Sequence, residues 1–318
     1  MQIIDEQIID EPGWRDHFIL TASALTSGER NKLARLASTG HLVRVSRGVY
    51  LTSGIARRRS RDVSYRDLVR SRHVTSPIPL LFSHTSAAVL WRIPRIGPWP
   101  DRVHVLSPTT TGRSTAHLVH HVGAPVDSTV TIDGVAVTPL ARTVIDLART
   151  ESTTNAVVAA DAALAGIRLG ERTIHVDRAA LVAELDRVGS GRGTRAARFA
   201  ADFARAEAAS PGESLSRLSI ARAGLTPPVL QQRFDDDEGR MFTDFWWPEV
   251  RIAGEFDGVG KYLRDEWTDG RSAAEVVIDE KRREDRLRRQ VAGLARWGWD
   301  VASSPARLGA LLRAAGVR

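Results

Sequence analysis

No cysteine occurs anywhere in the 318 residues, which excludes disulfides, thiolate metal sites and a cysteine nucleophile. Lysine is almost as scarce: of 45 basic residues only Lys32, Lys261 and Lys281 are lysines, and the other 42 are arginines. No apolar run approaches the length of a membrane span, so no membrane partner is expected. The opening stretch MQIIDEQIIDEPGW is acidic, unlike a secretory signal or an organellar presequence. The expected compartment is the cytoplasm, and the Arg- and Ala-rich usage fits a GC-rich bacterial genome.

The chain is long enough for two or three domains. Apolar residues at 42% and charged residues at 26% are ordinary for a soluble globular protein. The net charge of +7 suits a polyanionic partner, for which DNA is the commonest. The basic residues cluster at 57–61, 192–205 and 281–289.

Residues 16–53 read as a small DNA-binding unit. TSGERNKLARLAS is a capped helix with Leu33 and Leu36 inward. TGHLVRVSRGVYLT then alternates, turns near Arg47–Gly48 and returns through Val49–Leu51. A hairpin after a helix is the order of a winged helix, with Arg44 and Arg47 on the wing as DNA-binding candidates. An ordinary helix–hairpin with solvated arginines is the alternative.

LVRVSRGVYL resembles the end of the N-terminal winged helix of AbiEi-type antitoxins. FSHTSAAVLWRIP (82–94), DRVHVLSP (101–108) and GVAVTPLARTVIDLAR (134–149) resemble that family's following domain. The resemblance covers roughly residues 16–165. It implies binding to an operon operator, autoregulation and a toxin partner.

VTPLARTVIDLAR is a helix start in its own right: Thr138 suits the N-cap, Pro139 suits N1, and Val144, Leu147 and Ala148 form a buried stripe. Arg142 and Asp146 are spaced to pair. His84, His104, His117, His120 and His121 lack a compact ligand spacing and read as structural or surface residues. Residues 152–206 are Ala-rich and read as helical, with GSGRGTRAARFA (189–200) as a Gly-broken basic connector.

From Ser210 the pattern is α-β-β-β-α-β. SPGESLSRLSIARAGL is a helix, PPVLQQRF, MFTDFWW and RIAGEF are strands, IDEKRREDRLRRQVAGLARW is a long helix with Leu287, Val291 and Leu294 inward, and WDVAS is a final strand. Trp246, Trp247, Trp267, Trp297 and Trp299 read as core residues, with Trp246 and Trp247 on opposite strand faces. This element order is that of the PD-(D/E)XK nuclease superfamily, whose magnesium (or manganese) sites need hard oxygen ligands on rigid elements.

Asp244 and Glu255 are eleven residues apart across a tight turn and come nearly opposite each other. Glu255 and Asp257 share a strand face, and Glu213 on the preceding helix can supply a fourth carboxylate. Converging carboxylates are costly unless a cation neutralises them. The alternative leaves Asp244 and Asp257 as turn or strand-end residues in water.

Residues 210–305 resemble the Vsr-like endonuclease branch of that superfamily, through FTDFWWPEVRIAGEFDGVGKY and EKRREDRLRRQVAGLARWGWDV. One departure is that Asp257 stands where the usual Glu-x-Lys has lysine. Lys261 or Lys281 would then supply the catalytic cation, because lysine is a compact ammonium that can titrate. The arginines at 282–289 have a plainer role as a solvated face laced by pairs such as Glu284–Arg288.

The expected architecture is thus α+β: a winged helix over 1–60, a mixed α/β and helical region over 61–206, and a restriction-endonuclease-like domain over 207–318. Two functions stay open. One is a DNA-binding protein with a metal-dependent endonuclease domain, holding the ion at Asp244, Glu255 and Asp257, with Glu213 as an outer ligand, in a toxin–antitoxin or phage-defence setting. The other is a non-catalytic antitoxin-like repressor with a degenerate nuclease fold.

Overall fold

A computed structural model describes residues 6–23, 26–107, 114–258 and 273–318. Helices and several separate sheets are both present, consistent with an α+β chain. The protein forms two compact units, Met1–Ala204 and Arg205–Arg318. Among the described residues no helix is long and apolar enough to cross a membrane.

The first unit begins with β1 (Glu6–Ile8), β2 (Ile19–Leu20) and α1 (Ser27–Ser38). A capping box starts α1: Glu29 N donates to Thr26 Oγ1 at 3.2 Å, and Thr26 N donates to Glu29 Oε2 at 2.9 Å. Then come β3 (Leu42–Ser46) and β4 (Val49–Thr52), and a small sheet runs β2-β4-β3. Helix and hairpin therefore follow in the expected order, with Leu33 and Leu36 half-buried rather than core.

After α2 (Ser53–Arg58) and α3 (Arg61–Thr75) the chain lays down β5 (Leu81–Phe82), α4 (His84–Leu90), β6 (Val103–Ser107), β7 (Leu118–Val122), β8 (Val130–Ile132) and β9 (Val135–Val137). These strands and β1 form one sheet in the order β1-β8-β9-β5-β6-β7. Helices α5 (Leu140–Thr150) and α6 (Thr153–Ala165), the hairpin β10 (Ile167–Leu169) and β11 (Arg172–Ile174), and helices α7 (Arg178–Val188) and α8 (Thr194–Phe203) complete the unit. Its core joins Phe82, Trp91, Val105, Ile132, Val144 and Leu181.

Two local expectations are corrected here. Pro139, not Thr138, is the N-cap of α5; Thr138 is buried, with its hydroxyl 2.8 Å from that of Thr143. The Ala-rich stretch is not all helix. Gly166 at φ +108° ends α6, and the alternating residues after it pair as a hairpin about Gly170.

The second unit contains α9 (Pro211–Arg222), β12 (Val229–Asp236), β13 (Gly239–Trp247), β14 (Ile252–Phe256), α10 (Ala273–Arg288), β15 (Gly293–Trp297), α11 (Trp299–Ala302) and α12 (Pro305–Ala314). Its sheet runs β12-β13-β14-β15, antiparallel except for the parallel pair β14 and β15. The last strand is Gly293–Trp297, where the spacing predicts the end of the long helix, and the WDVAS stretch forms a short helix instead of the final strand. Leu287 is buried and packs with Met241 and Ala253, as a helix covering one face of the sheet requires. Trp247 and Trp297 are buried, Trp246 lies edge-on to Phe234, and Trp299 is 42% exposed rather than core. Trp267 lies outside the described residues.

Candidate functional site

Helix α9 starts at Ser210, whose hydroxyl accepts from the Glu213 amide at 3.3 Å, with Pro211 in the first turn where a missing N–H costs nothing. The Glu213 carboxylate is turned back onto its own cap. Its Oε1 accepts from Ser210 Oγ at 2.8 Å and its Oε2 from the Ala209 amide at 3.0 Å. Gly212 lets this first turn lie against β14, since a Cβ there would come 2.0 Å from Cε1 of Phe256. Glu213 is consequently buried.

On the sheet, the β12–β13 ladder skips Gln231, whose φ is +48°. A non-glycine residue in this region is strained, and such strain clusters at functional sites. Gln231 Nε2 donates to Glu213 Oε2 at 2.9 Å and lies 3.3 Å from Asp244 Oδ1. The Phe256 amide donates to Asp244 Oδ2 at 2.8 Å. Burial, and then the charge of Asp244, push the Glu213 carboxyl above its ordinary value, against the hydrogen bonds it accepts. Helix, edge strand and its neighbour thus bring two carboxylates together with one amide between them.

The other sequence candidates divide. Glu255 is buried and carries two guanidinium partners: Arg283 Nη2 at 2.8 Å from Oε1 and Arg296 Nη2 at 2.6 Å from Oε2. Asp257 is exposed just beyond β14, where its amide donates to Trp297 O at 2.9 Å. Lys281 is exposed midway along α10, not at the helix start. Lys261 lies outside the described residues. Among the described residues, the cations beside Glu255 are arginines. Arg296 follows from the parallel register, in which it stands directly beside Glu255; reading GLARW as helix hid that neighbour. Gln231 was missed because nothing in PPVLQQRF marks a break in the ladder.

A divalent cation can be tested against these donors. Glu213 and Asp244 provide hard oxygens whose mutual repulsion an ion would relieve. Glu255 would join them by exchanging guanidinium partners for the ion. Among the described residues no group of three or more His, Asp or Glu side chains is already placed to hold a metal.

The first unit carries a second candidate, a basic groove. Arg44 and Arg47 line a cavity of about 750 Å³ with Arg59, Arg61, Arg72 and Trp99. Arg72 is crowded: its Nε is buried without a hydrogen-bond partner, and burial and then Arg44 hold its guanidinium below the ordinary value. Guanidiniums gathered in this way favour an anion among them. The sequence cluster at 57–61 supplies Arg59 and Arg61, while Arg72 comes from the far end of α3.

No protein-family model and no curated protein matches the chain.

Proposed function

We propose that the protein binds DNA through the arginine groove and that its C-terminal unit hydrolyses phosphodiesters with a divalent metal ion, magnesium or manganese. The observation that carries this reading is the pair Glu213 and Asp244, joined by strained Gln231. Two carboxylates held together are unfavourable in a resting protein and useful to one that binds a cation. The α-β-β-β-α-β order around them and the resemblance to Vsr-like endonucleases support the same reading. Asp244 and Glu213 would hold the ion, Glu255 would join on release from its arginines, and Asp257 would lie at the edge. A bound ion supplies Lewis-acid stabilisation of a phosphoryl oxygen and a water of lowered pKa. Arg283 or Arg296, once freed from Glu255, would face the developing negative charge; Lys261 and Lys281 are the alternative cations from the sequence.

A second reading is a non-catalytic, antitoxin-like operator-binding regulator with a toxin partner. The double arginine pairing of Glu255 favours it, because that carboxylate is already neutralised without metal. Plasmid nicking in magnesium or manganese, with calorimetric metal titration, separates the two. The nuclease reading requires metal binding and cleavage, both lost in Asp244→Asn, with DNA affinity retained. Absence of metal binding and of cleavage of any duplex or single strand leaves the regulator.

A further inference from the structure

The first unit holds a further site that neither the proposed DNA binding nor the proposed phosphodiester hydrolysis uses. Its cavity of about 490 Å³ is lined by His84, His121, Arg142, Asp146, Arg149 and Arg192 among others. The size falls within the roughly 300–1,000 Å³ typical of small-molecule sites.

Asp146 on α5 is 5% exposed. Arg142 Nε donates to its Oδ1 at 2.8 Å, but Oδ2 is buried with no hydrogen-bond partner. The nearest imidazole nitrogen, Nδ1 of His84, stands off at 3.9 Å and is 3.0 Å from Ser83 Oγ instead. An unpartnered carboxylate oxygen at this depth is costly, and a ligand N–H or O–H would satisfy it.

The opposite character comes from the arginines. Arg149 is held by the glycine-rich loop at 189–193: its Nε donates to Arg192 O and its Nη1 to Gly189 O, both at 3.1 Å. A Cβ on Gly191 would meet Arg149 Nη2 at 2.7 Å, and one on Gly193 would meet Arg149 O at 2.2 Å. Gly193, at φ +81°, lets the loop lie against the Arg149 backbone, and the loop brings the exposed Arg192 to the same cavity. Arg142 is 2% exposed and donates to Ala124 O at 2.9 Å. Three guanidiniums against one carboxylate leave a surplus of two positive charges among the lining residues.

The histidines add no charge. His84, at φ +51°, stacks on His121 with ring centroids 3.5 Å apart, and His121 Nε2 is 2.8 Å from His104 Nδ1. Close stacking and burial favour neutral rings, which present a flat wall.

We propose that this cavity binds a small phosphomonoester that also carries a hydrogen-bond donor, its phosphate against Arg149 and Arg192 and its donor on Oδ2 of Asp146. The surplus of two charges matches a dianionic phosphate better than a carboxylate, and guanidinium forks suit its oxygens. Nucleoside monophosphates and sugar phosphates share this chemistry.

Calorimetric titration of the full chain with AMP, GMP, glucose 6-phosphate, inorganic phosphate and adenosine tests the proposal. One phosphomonoester is expected to bind at least about tenfold more tightly than inorganic phosphate or the nucleoside, and to raise the melting temperature. Arg192→Ala, at an exposed position, and Asp146→Asn, which keeps the side-chain volume, should each weaken it about tenfold with the circular-dichroism spectrum unchanged. Arg44→Ala with Arg47→Ala in the separate groove should leave it intact. The proposal is overturned if no phosphomonoester binds, if inorganic phosphate binds as tightly, or if the groove variant alone abolishes binding. Unchanged affinity in both cavity variants also overturns it.

Discussion

Arg283 Nη2 sits 2.8 Å from Oε1 of Glu255, so a helix arginine covers a carboxylate that the proposed nuclease function would give to a metal ion. A metal ion held there, as proposed, would compete with the guanidinium for that oxygen. Arg283→Ala should therefore raise manganese affinity severalfold in calorimetry. It should also cost about 1–2 kcal/mol in metal-free urea denaturation, because Arg296 still holds the other oxygen. Identical manganese affinity in variant and parent would remove Glu255 from the ligand set.

The arginine groove predicts a salt signature. If Arg44 and Arg72 each meet a phosphate, log K for a DNA duplex should fall steeply with log salt. Each Ala replacement should flatten that slope by about 0.9. Fluorescence anisotropy from 50 to 200 mM salt reads it, those concentrations being the range over which several phosphate contacts change affinity about 10³-fold or more. Slopes unchanged in both variants would place DNA elsewhere.

Gly212 predicts a packing defect. A Cβ there would overlap the buried ring of Phe256, which cannot simply swing away. Gly212→Ala should destabilise the C-terminal unit by about 1–3 kcal/mol, the usual cost of overpacking. Adding Phe256→Leu should recover part of that loss in the same urea titration. Additive losses in the double variant would show that the two positions do not press on each other.

The histidine stack predicts an acid-sensitive first unit. Burial, with neighbouring positive groups, lowers His104 and His121 from the ordinary 6.5 to about 4, and His84 well below it. Between pH 6.5 and 4 the unfolded chain binds protons there that the folded chain refuses, so stability falls as pH falls. Asp146 acts oppositely. Burial pushes its carboxyl from 3.8 to about 6, so its contribution is lost as pH rises through that range. Three imidazoles outweigh one carboxyl, and melting should drop from pH 7 to pH 5. His121→Gln should shrink the drop; a drop of the same size in parent and variant would dismiss the cluster as its source.

Local chemistry was readable wherever neighbours in sequence decide the outcome. Ser210 and Pro211 announce α9, and the spacing of Arg142 and Asp146 announces their 2.8 Å pair. The alternation of residues 42–52 announces the hairpin that carries Arg44 and Arg47. Each depends on a cap, a helical turn or a strand period within a few residues.

Tertiary structure decided the rest, because long-range pairing overrode local preference. GLARW holds good helix formers and sits in line with α10, yet pairing beside β14 makes it a strand and sets Arg296 against Glu255. Glu213 and Asp244 are 31 positions apart in the chain, and only the strained break at Gln231 places an amide between them. Residue types alone named the carboxylates; which of them meet, and which are covered by arginine, followed from sheet register and from the missing side chain at Gly212.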